Sequence, residues 1–276
     1  MKLLSPTKAQ IKLWEKLRIA KTRRRENLFL AEGLKVVTEL FKGSWDIEAL
    51  LVREEKKGYW NALEADIAAR PVITYMLTAK QWQGLSQDKT PEGIMAVVKS
   101  RSHHDLPGIL QQTAGHALLL DRINNPNNLG ALMRTALWFG IRLILINKGS
   151  VDFTNPKVVR SSMGSLFHMT VIDDLDFREI WADIKRHFVV IGSHVRGGMM
   201  PHPCQQRTAI LFGNESHGLA ADLQQVTDEM WHIPGGGYME SLSLPQAAAV
   251  MLYECTRNDW IGGAIGSLHT NRHHHG

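Results

Sequence analysis

Cysteine is nearly absent from this chain: Cys204 and Cys255 are the only two in 276 residues, 51 positions apart. Two are too few for a disulfide framework, and their spacing matches no metal-ligand pattern. A reducing compartment is therefore the expected setting. Long apolar runs are missing as well, since stretches such as ALLL and LILI fall far short of the roughly 20 residues a membrane helix needs. The opening MKLLSPTKAQ is interrupted by Ser5, Pro6 and Lys8 before an export signal could form. A soluble, cytoplasmic protein is expected, with no membrane partner. There is no Gly-x-Gly-x-x-Gly turn, which argues against classical dinucleotide binding. No Ser/His/Asp triad or metal cluster stands out. His103, His104 and Asp105 are adjacent but lie in a polar stretch, so they are read as solvated and no metal is expected.

What is present is a lopsided distribution of charge. The formal net charge is +5, yet residues 1–25 contain nine Lys or Arg against Glu15 alone. The positive excess is entirely N-terminal. A run such as RIAKTRRR suits the phosphates of RNA, because bound counterions are released when the phosphates are neutralised. Arg18, Lys21, Arg23, Arg24 and Arg25 are the candidate RNA-binding residues. A solvated helix face is the competing reading of the same run.

An apolar content of 44% allows a full core, and the pattern divides into two α/β units. Residues 1–100 read as a smaller domain. Within it, residues 8–20 and FLAEGLKVVTELFKG are expected as helices, the second ended by Gly43, while IEALLV, PVITYML and PEGIMAVV are expected as strands. Residues 101–114, containing KSRSHHDLPG, read as a linker. Residues 115–260 alternate strand-like runs with helix-like ones, which implies a mostly parallel sheet covered on both faces. Residues 261–276, Gly-rich and then His-rich, are expected to be a flexible tail.

Three segments of the second domain, NNPNNLGALMRTA, LFGNESHGL and IPGGGYMESLSLPQAAAVMLYE, each follow a strand-like run and lead toward a helix-like one. All three should therefore sit at the carboxyl ends of strands, the edge where open α/β sheets bind ligands. Arg134 follows Gly130 by one helical turn, so it can project near the same strand end as Asn128. Asn128 could orient Arg134 or cap its helix. Glu215 could bond Arg134 or a substrate hydroxyl.

These residues carry a resemblance. Asn128, Gly130 and Arg134, then Gly213, Asn214 and Glu215, then Ile233-Pro234 followed by Glu240, Ser241, Leu242 and an Ala-rich helix, resemble the three-motif signature of the SpoU/TrmH family. ENLFLAEGLKVVTEL and TPEGIMAVV resemble the substrate-binding domain that many members carry in front. The resemblance covers residues 21–260. It implies methyl transfer from S-adenosylmethionine to ribose 2′-hydroxyls of ribosomal or transfer RNA, on a Rossmann-like SPOUT domain whose C-terminal segment forms a trefoil knot. It also implies a homodimer. Arg134, with Asn128 and Glu215, would be catalytic; Leu211, Gly213, Ile233, Gly235, Leu242 and Ser243 would hold the cofactor. A free guanidinium cannot serve as a base, so Arg134 is expected to stabilise the developing alkoxide and a phosphate, with the proton acceptor left open. One departure is Ser243, where the family usually has Asn. It keeps alive a second reading, an RNA-binding or ribosome-assembly factor of the same fold. An unrelated small-molecule α/β enzyme is the third.

Overall fold

The computed structural model describes residues 3–56, 63–101 and 105–261; the expected linker histidines and the tail beyond 261 lie outside them. The first sheet comprises β1 (Leu3–Leu4), β2 (Leu28–Glu32), β3 (Ile47–Arg53), β4 (Thr74–Leu77) and β5 (Ile94–Lys99), in the order β1-β4-β3-β5-β2. β5 runs antiparallel to both its neighbours, while β1, β4 and β3 are parallel. Around this sheet lie α1 (Lys8–Lys16), α2 (Ala20–Glu26), α3 (Leu34–Lys42), α4 (Glu64–Ala69) and α5 (Ala79–Leu85).

Local chemistry accounts for most of these limits. α1 and α5 each start at a reciprocal cap, Thr7 with Gln10 and Thr78 with Gln81, which satisfies two otherwise orphaned backbone donors. FLAEGLKVVTELFKG is not one helix. Its first residues form β2, and Gly33, at φ 107°, turns the chain into α3. Tertiary pairing with β5 wins over helix propensity there, because Phe29, Leu30 and Ala31 are all buried in the sheet.

The second sheet comprises β6 (Ala117–Leu120), β7 (Leu143–Asn147), β8 (Thr170–Leu175), β9 (Val189–Ser193), β10 (Thr208–Phe212) and β11 (Glu229–Trp231). Its order is β11-β9-β10-β6-β7-β8, and every pairing is parallel. β6 and β10 are buried at every position, the pattern of central strands covered on both faces. The covering helices are α6 (Leu106–Gln112), α7 (Pro126–Trp138), α8 (Pro156–Ser161), α9 (Phe177–His187), α10 (Ala221–Val226) and α11 (Leu244–Ile261). α6 occupies much of the segment read as a linker. Asp105 caps it by accepting from the Gly108 N–H at 2.9 Å, and Leu110 is buried with Leu119 and Phe177 against the second sheet.

The two sheets share a core. Phe167, in a short 3₁₀ turn at Ser165–His168, stacks on Phe29 with centroids 6.5 Å apart and meets Trp45 edge-on at 5.7 Å. Around this aromatic contact the join is laced with ion pairs. Glu39 accepts from Lys35, Lys42 and His168, and Arg160 meets Asp88 at 2.6 Å. Burial alone would raise the Glu39 pKa, but the three donors outweigh it and hold the carboxyl at about 2.

Candidate active site at the strand ends

Because the second sheet is parallel, the residues following β6, β10 and β11 emerge along one edge. β6 ends in a rigid corner. Asp121, 1% exposed, donates its N–H to Phe212 O at 2.8 Å, prolonging the pairing with β10. Its carboxylate accepts from Asn147 Nδ2 at 2.7 Å and Arg122 Nε at 3.1 Å. Arg122 lies in the left-handed region at φ 53°, a costly conformation for a side chain other than glycine. Its carbonyl is held by Asn214 Nδ2 at 2.8 Å. Such over-determined strain is found where a loop must be kept in place.

Asn214 also shapes its own loop. Its Oδ1 accepts from the N–H groups of Ser216 at 2.9 Å and His217 at 3.1 Å, and its backbone forms a two-way bridge with Gly218. Gly213 is required for that closure. A Cβ there would lie 2.3 Å from Gly218 C and Leu219 N, so the loop can close only with glycine at this position.

Glu215 then reaches back to the first motif. Its Oε1 accepts from Asn125 N at 3.0 Å and Asn128 Nδ2 at 3.2 Å, and its Oε2 accepts from Asn124 N at 3.2 Å. Partial burial opposes ionisation, but its own backbone N–H and these donors more than compensate, and the pKa is lowered. The carboxylate thus closes the N-terminus of α7, where the helix dipole favours negative charge. Asn128 is not the cap: Asn125 caps α7 with Pro126 at its first position, and Asn128 lies inside the first turn. Nor does Asn128 or Glu215 bond Arg134, as the sequence suggested. Arg134 is exposed and has no hydrogen bond or ion pair among the described residues.

α7 is brought close to α8 by Gly130. A Cβ at that position would fall 2.0 Å from Ser161 Oγ and 2.7 Å from Ser162 N. Arg134 projects one turn farther along, beside the crossing.

The cofactor-binding candidates divide. Leu211 is fully buried within β10, paired with Leu119 and Gly192, so its side chain supports the edge from beneath. Ile233 is half-buried against the core, Leu242 is 49% exposed, and a Cβ on Gly235 would meet nothing within 4 Å. From Ile233 to Leu242 no backbone group has a partner among the described residues. That open strip of amides and carbonyls between two aliphatic side chains fits a nucleoside cofactor, which needs both. Ser243 is used differently: its Oγ donates to Gln246 at 3.0 Å and its carbonyl accepts from Ala247 N, starting α11.

Of the basic residues, Lys21, Arg24 and Arg25 are exposed, Arg25 beside Glu26. Arg18 donates Nη2 to Ser86 O at 2.6 Å and Nε to Leu85 O at 3.3 Å. Arg23 is not available to RNA. It is 3% exposed and donates Nη2 to Asp152 at 2.6 Å, Nε to Thr154 at 3.1 Å, and Nη1 to the carbonyls of Leu17 and Arg18 at 2.9 Å. Asp121, Arg122, Asn125 and Asn147 were missed by motif reasoning. An acidic residue directly after a four-residue apolar strand was the available signal for the first of them.

Among the described residues no helix is long and apolar enough to cross a membrane, and no group of three ligand residues could hold a metal. A cavity of about 740 Å³ lies in the first domain, lined by Leu4, Ile67 and Ile73, away from the motif loops.

Comparison with known proteins follows this division. Residues 115–253 match the SpoU rRNA Methylase family, and residues 8–96 match an MRM3-like substrate binding domain. The chain is 31% identical over 258 residues to the 23S rRNA (guanosine(2553)-2′-O)-methyltransferase RlmP of Bacillus subtilis, covering 92% of this chain and 98% of that one. It is 28% identical to a 23S rRNA (uridine(2479)-2′-O)-methyltransferase of Streptomyces viridochromogenes, over 90% of each chain. An AdoMet-bound rRNA methyltransferase from Sinorhizobium meliloti superposes with a TM-score of 0.81 at 25% identity, over 93% of this chain and 98% of that one. The chain belongs to the SpoU rRNA methylase family.

Proposed function

We propose that the protein transfers a methyl group from S-adenosylmethionine to a ribose 2′-hydroxyl of 23S ribosomal RNA, in the cytoplasm and as a homodimer. The carrying observation is that Arg134, exposed and unpartnered, lies on the helix whose N-terminus Glu215 of the second motif holds, while the backbone of the third motif from Ile233 to Leu242 is left without partners among the described residues. Bound there, S-adenosylmethionine supplies an electrophilic methyl on a sulfonium. The protein's part is to position the ribose oxygen and stabilise the negative charge that gathers on it as its proton leaves. Arg134 can do this with a planar fork that also holds an adjacent phosphate. Glu215, ionised and already accepting from three groups, keeps the first and second motifs in register and is a poor proton acceptor.

A partner subunit is supported by the apolar side chains left on the outer helices. Trp138 on α7 is 79% exposed, and Tyr253 and Val250 on the adjoining α11 are 52% and 40% exposed. Together they form the kind of patch that associating surfaces carry.

The deciding experiment incubates the protein with labelled S-adenosylmethionine and a 23S rRNA transcript, then maps the product. One 2′-O-methylated nucleotide is expected. Cofactor binding without turnover on any 23S segment would favour the assembly-factor reading instead.

A further inference from the structure

The buried guanidinium of Arg23 joins the basic N-terminal helix to the loop that follows β7. Its partners Asp152 and Thr154 belong to that loop, and Asn155, next in the chain, caps α8 by accepting from Lys157 N at 3.0 Å. α8 in turn meets the first motif: Ser161 Oγ donates to Pro126 O at 3.3 Å, and Gly130 admits α8 against α7. A continuous mechanical path therefore runs from α2 through Arg23, the 152–155 loop and α8 to the helix that carries Arg134.

Three cations stand on that path with no side-chain hydrogen bond or ion pair among the described residues. Lys21 and Arg24 flank Arg23 on α2, and Lys157 lies in the first turn of α8; all three are exposed. Burial and the charge of Asp152 raise the pKa of Asp173 on β8, and Arg24, across the seam, offsets part of that rise. The charge of Arg23 itself is already answered by Asp152, with side-chain exposures of 3% and 12%.

We infer that Lys21, Arg24 and Lys157 form a phosphate track for the RNA leading to Arg134, and that Arg23 is the positioning residue that keeps this track in register with the catalytic domain. The inference rests on the RNA-methylating function proposed above. Lys21 and Arg24 contact phosphates directly; Arg23 acts only through where it holds α2.

Salt dependence separates these roles. Each lost phosphate contact reduces the slope of log affinity against log salt by about 0.7 to 0.9. Binding of a 23S rRNA transcript is measured by filter retention over a salt series, without cofactor. Lys21→Gln with Arg24→Gln should lower the slope by roughly 1.4 to 1.8, and Lys157→Gln by about half of that. Arg23→Met removes a charge that is already neutralised, so a purely structural role predicts an unchanged slope. The positioning role predicts a loss comparable to the Lys21, Arg24 pair, and little further loss when all three changes are combined. Asp152→Asn breaks the same anchor from the catalytic side and should act alike, while Arg23→Lys should recover part of the slope. S-adenosylmethionine affinity, measured by calorimetry, reports that each variant remains folded. Wild-type binding with unchanged slopes in Arg23→Met and Asp152→Asn, or strict additivity with the Lys21, Arg24 pair, would overturn this inference alone. Failure of the wild-type protein to bind the transcript would overturn the proposed function and the track together.

Discussion

The seam between the two sheets and the rim at the strand ends of the second use the same residue types to opposite effect. At the seam Arg23, Glu39 and Arg160 each hold a partner across the join, and Phe167 fills the gap between Phe29 and Trp45. At the rim Arg134 and the backbone from Ile233 to Leu242 hold no partner among the described residues, although the loops beneath them are pinned by Asp121, Asn214 and Glu215. A satisfied charge adds to the integrity of the domain pair. An unsatisfied one, held on a rigid base, is free to bind a ligand without first breaking a contact.

The widest break in this comparison comes from removing a side chain on each side of it. Phe167→Ala leaves a cavity in the shared core and should cost about 3 to 5 kcal/mol of stability, read as a shift in the urea midpoint. Leu242→Ala, at a position already 49% exposed, should leave that midpoint nearly unchanged. It should instead weaken S-adenosylmethionine about tenfold, or ~1.4 kcal/mol. A large loss of stability in Leu242→Ala would mean that the rim loop is part of the core and the contrast is false.

Arg134→Ala tests the open charge itself. Loss of one group that stabilises transition-state charge costs about 10² to 10³ in rate. Single-turnover methylation of the transcript should fall by that amount while cofactor affinity and the urea midpoint stay put. Arg134→Lys should restore little, since a point charge cannot span phosphate and ribose as the guanidinium fork does. Near-normal turnover in the Ala variant would remove Arg134 from the mechanism.

Much of this arrangement was legible in the sequence, because it depends on order along the chain. Apolar runs such as Ala117–Leu120 and Thr208–Phe212 announced strands, and Gly and Asn clusters after them placed the motifs at strand ends. What could not be read depends on contacts between distant residues. Nothing in RIAKTRRR distinguishes Arg23 from Arg24. The difference arises because one faces Asp152, 129 positions away, and the other faces solvent. The pairing of Asn128 with Glu215 instead of Arg134 is of the same kind, as is the strand Leu28–Glu32, whose partner β5 lies some seventy residues downstream.

The smallest effect expected distinguishes two carboxyls of the seam by the sign of their pH dependence. Glu39 is held at about 2 against an ordinary 4.5, so its contribution to stability is present above 4.5 and is lost as pH falls toward 2. Asp173 is the reverse case. Burial, then the nearby charge of Asp152, pushes its carboxyl up from 3.8 to about 6, with Arg24 pulling it back and Asp174 adding to the rise. The folded state therefore disfavours the Asp173 carboxylate, and this penalty is absent below 3.8 and complete above 6. From the size of the shift it amounts to no more than about 3 kcal/mol. Acidification from pH 7 to about 4.5 should consequently stabilise the protein through Asp173, and further acidification should destabilise it through Glu39. Asp173→Asn removes the first effect only. Its melting temperature should exceed that of the wild-type protein from pH 8 down to about 6, and the advantage should then shrink and vanish near pH 4. A gain independent of pH would show that Asp173 is unfavourable for its shape rather than its charge, and that the seam is balanced by packing more than by paired ions.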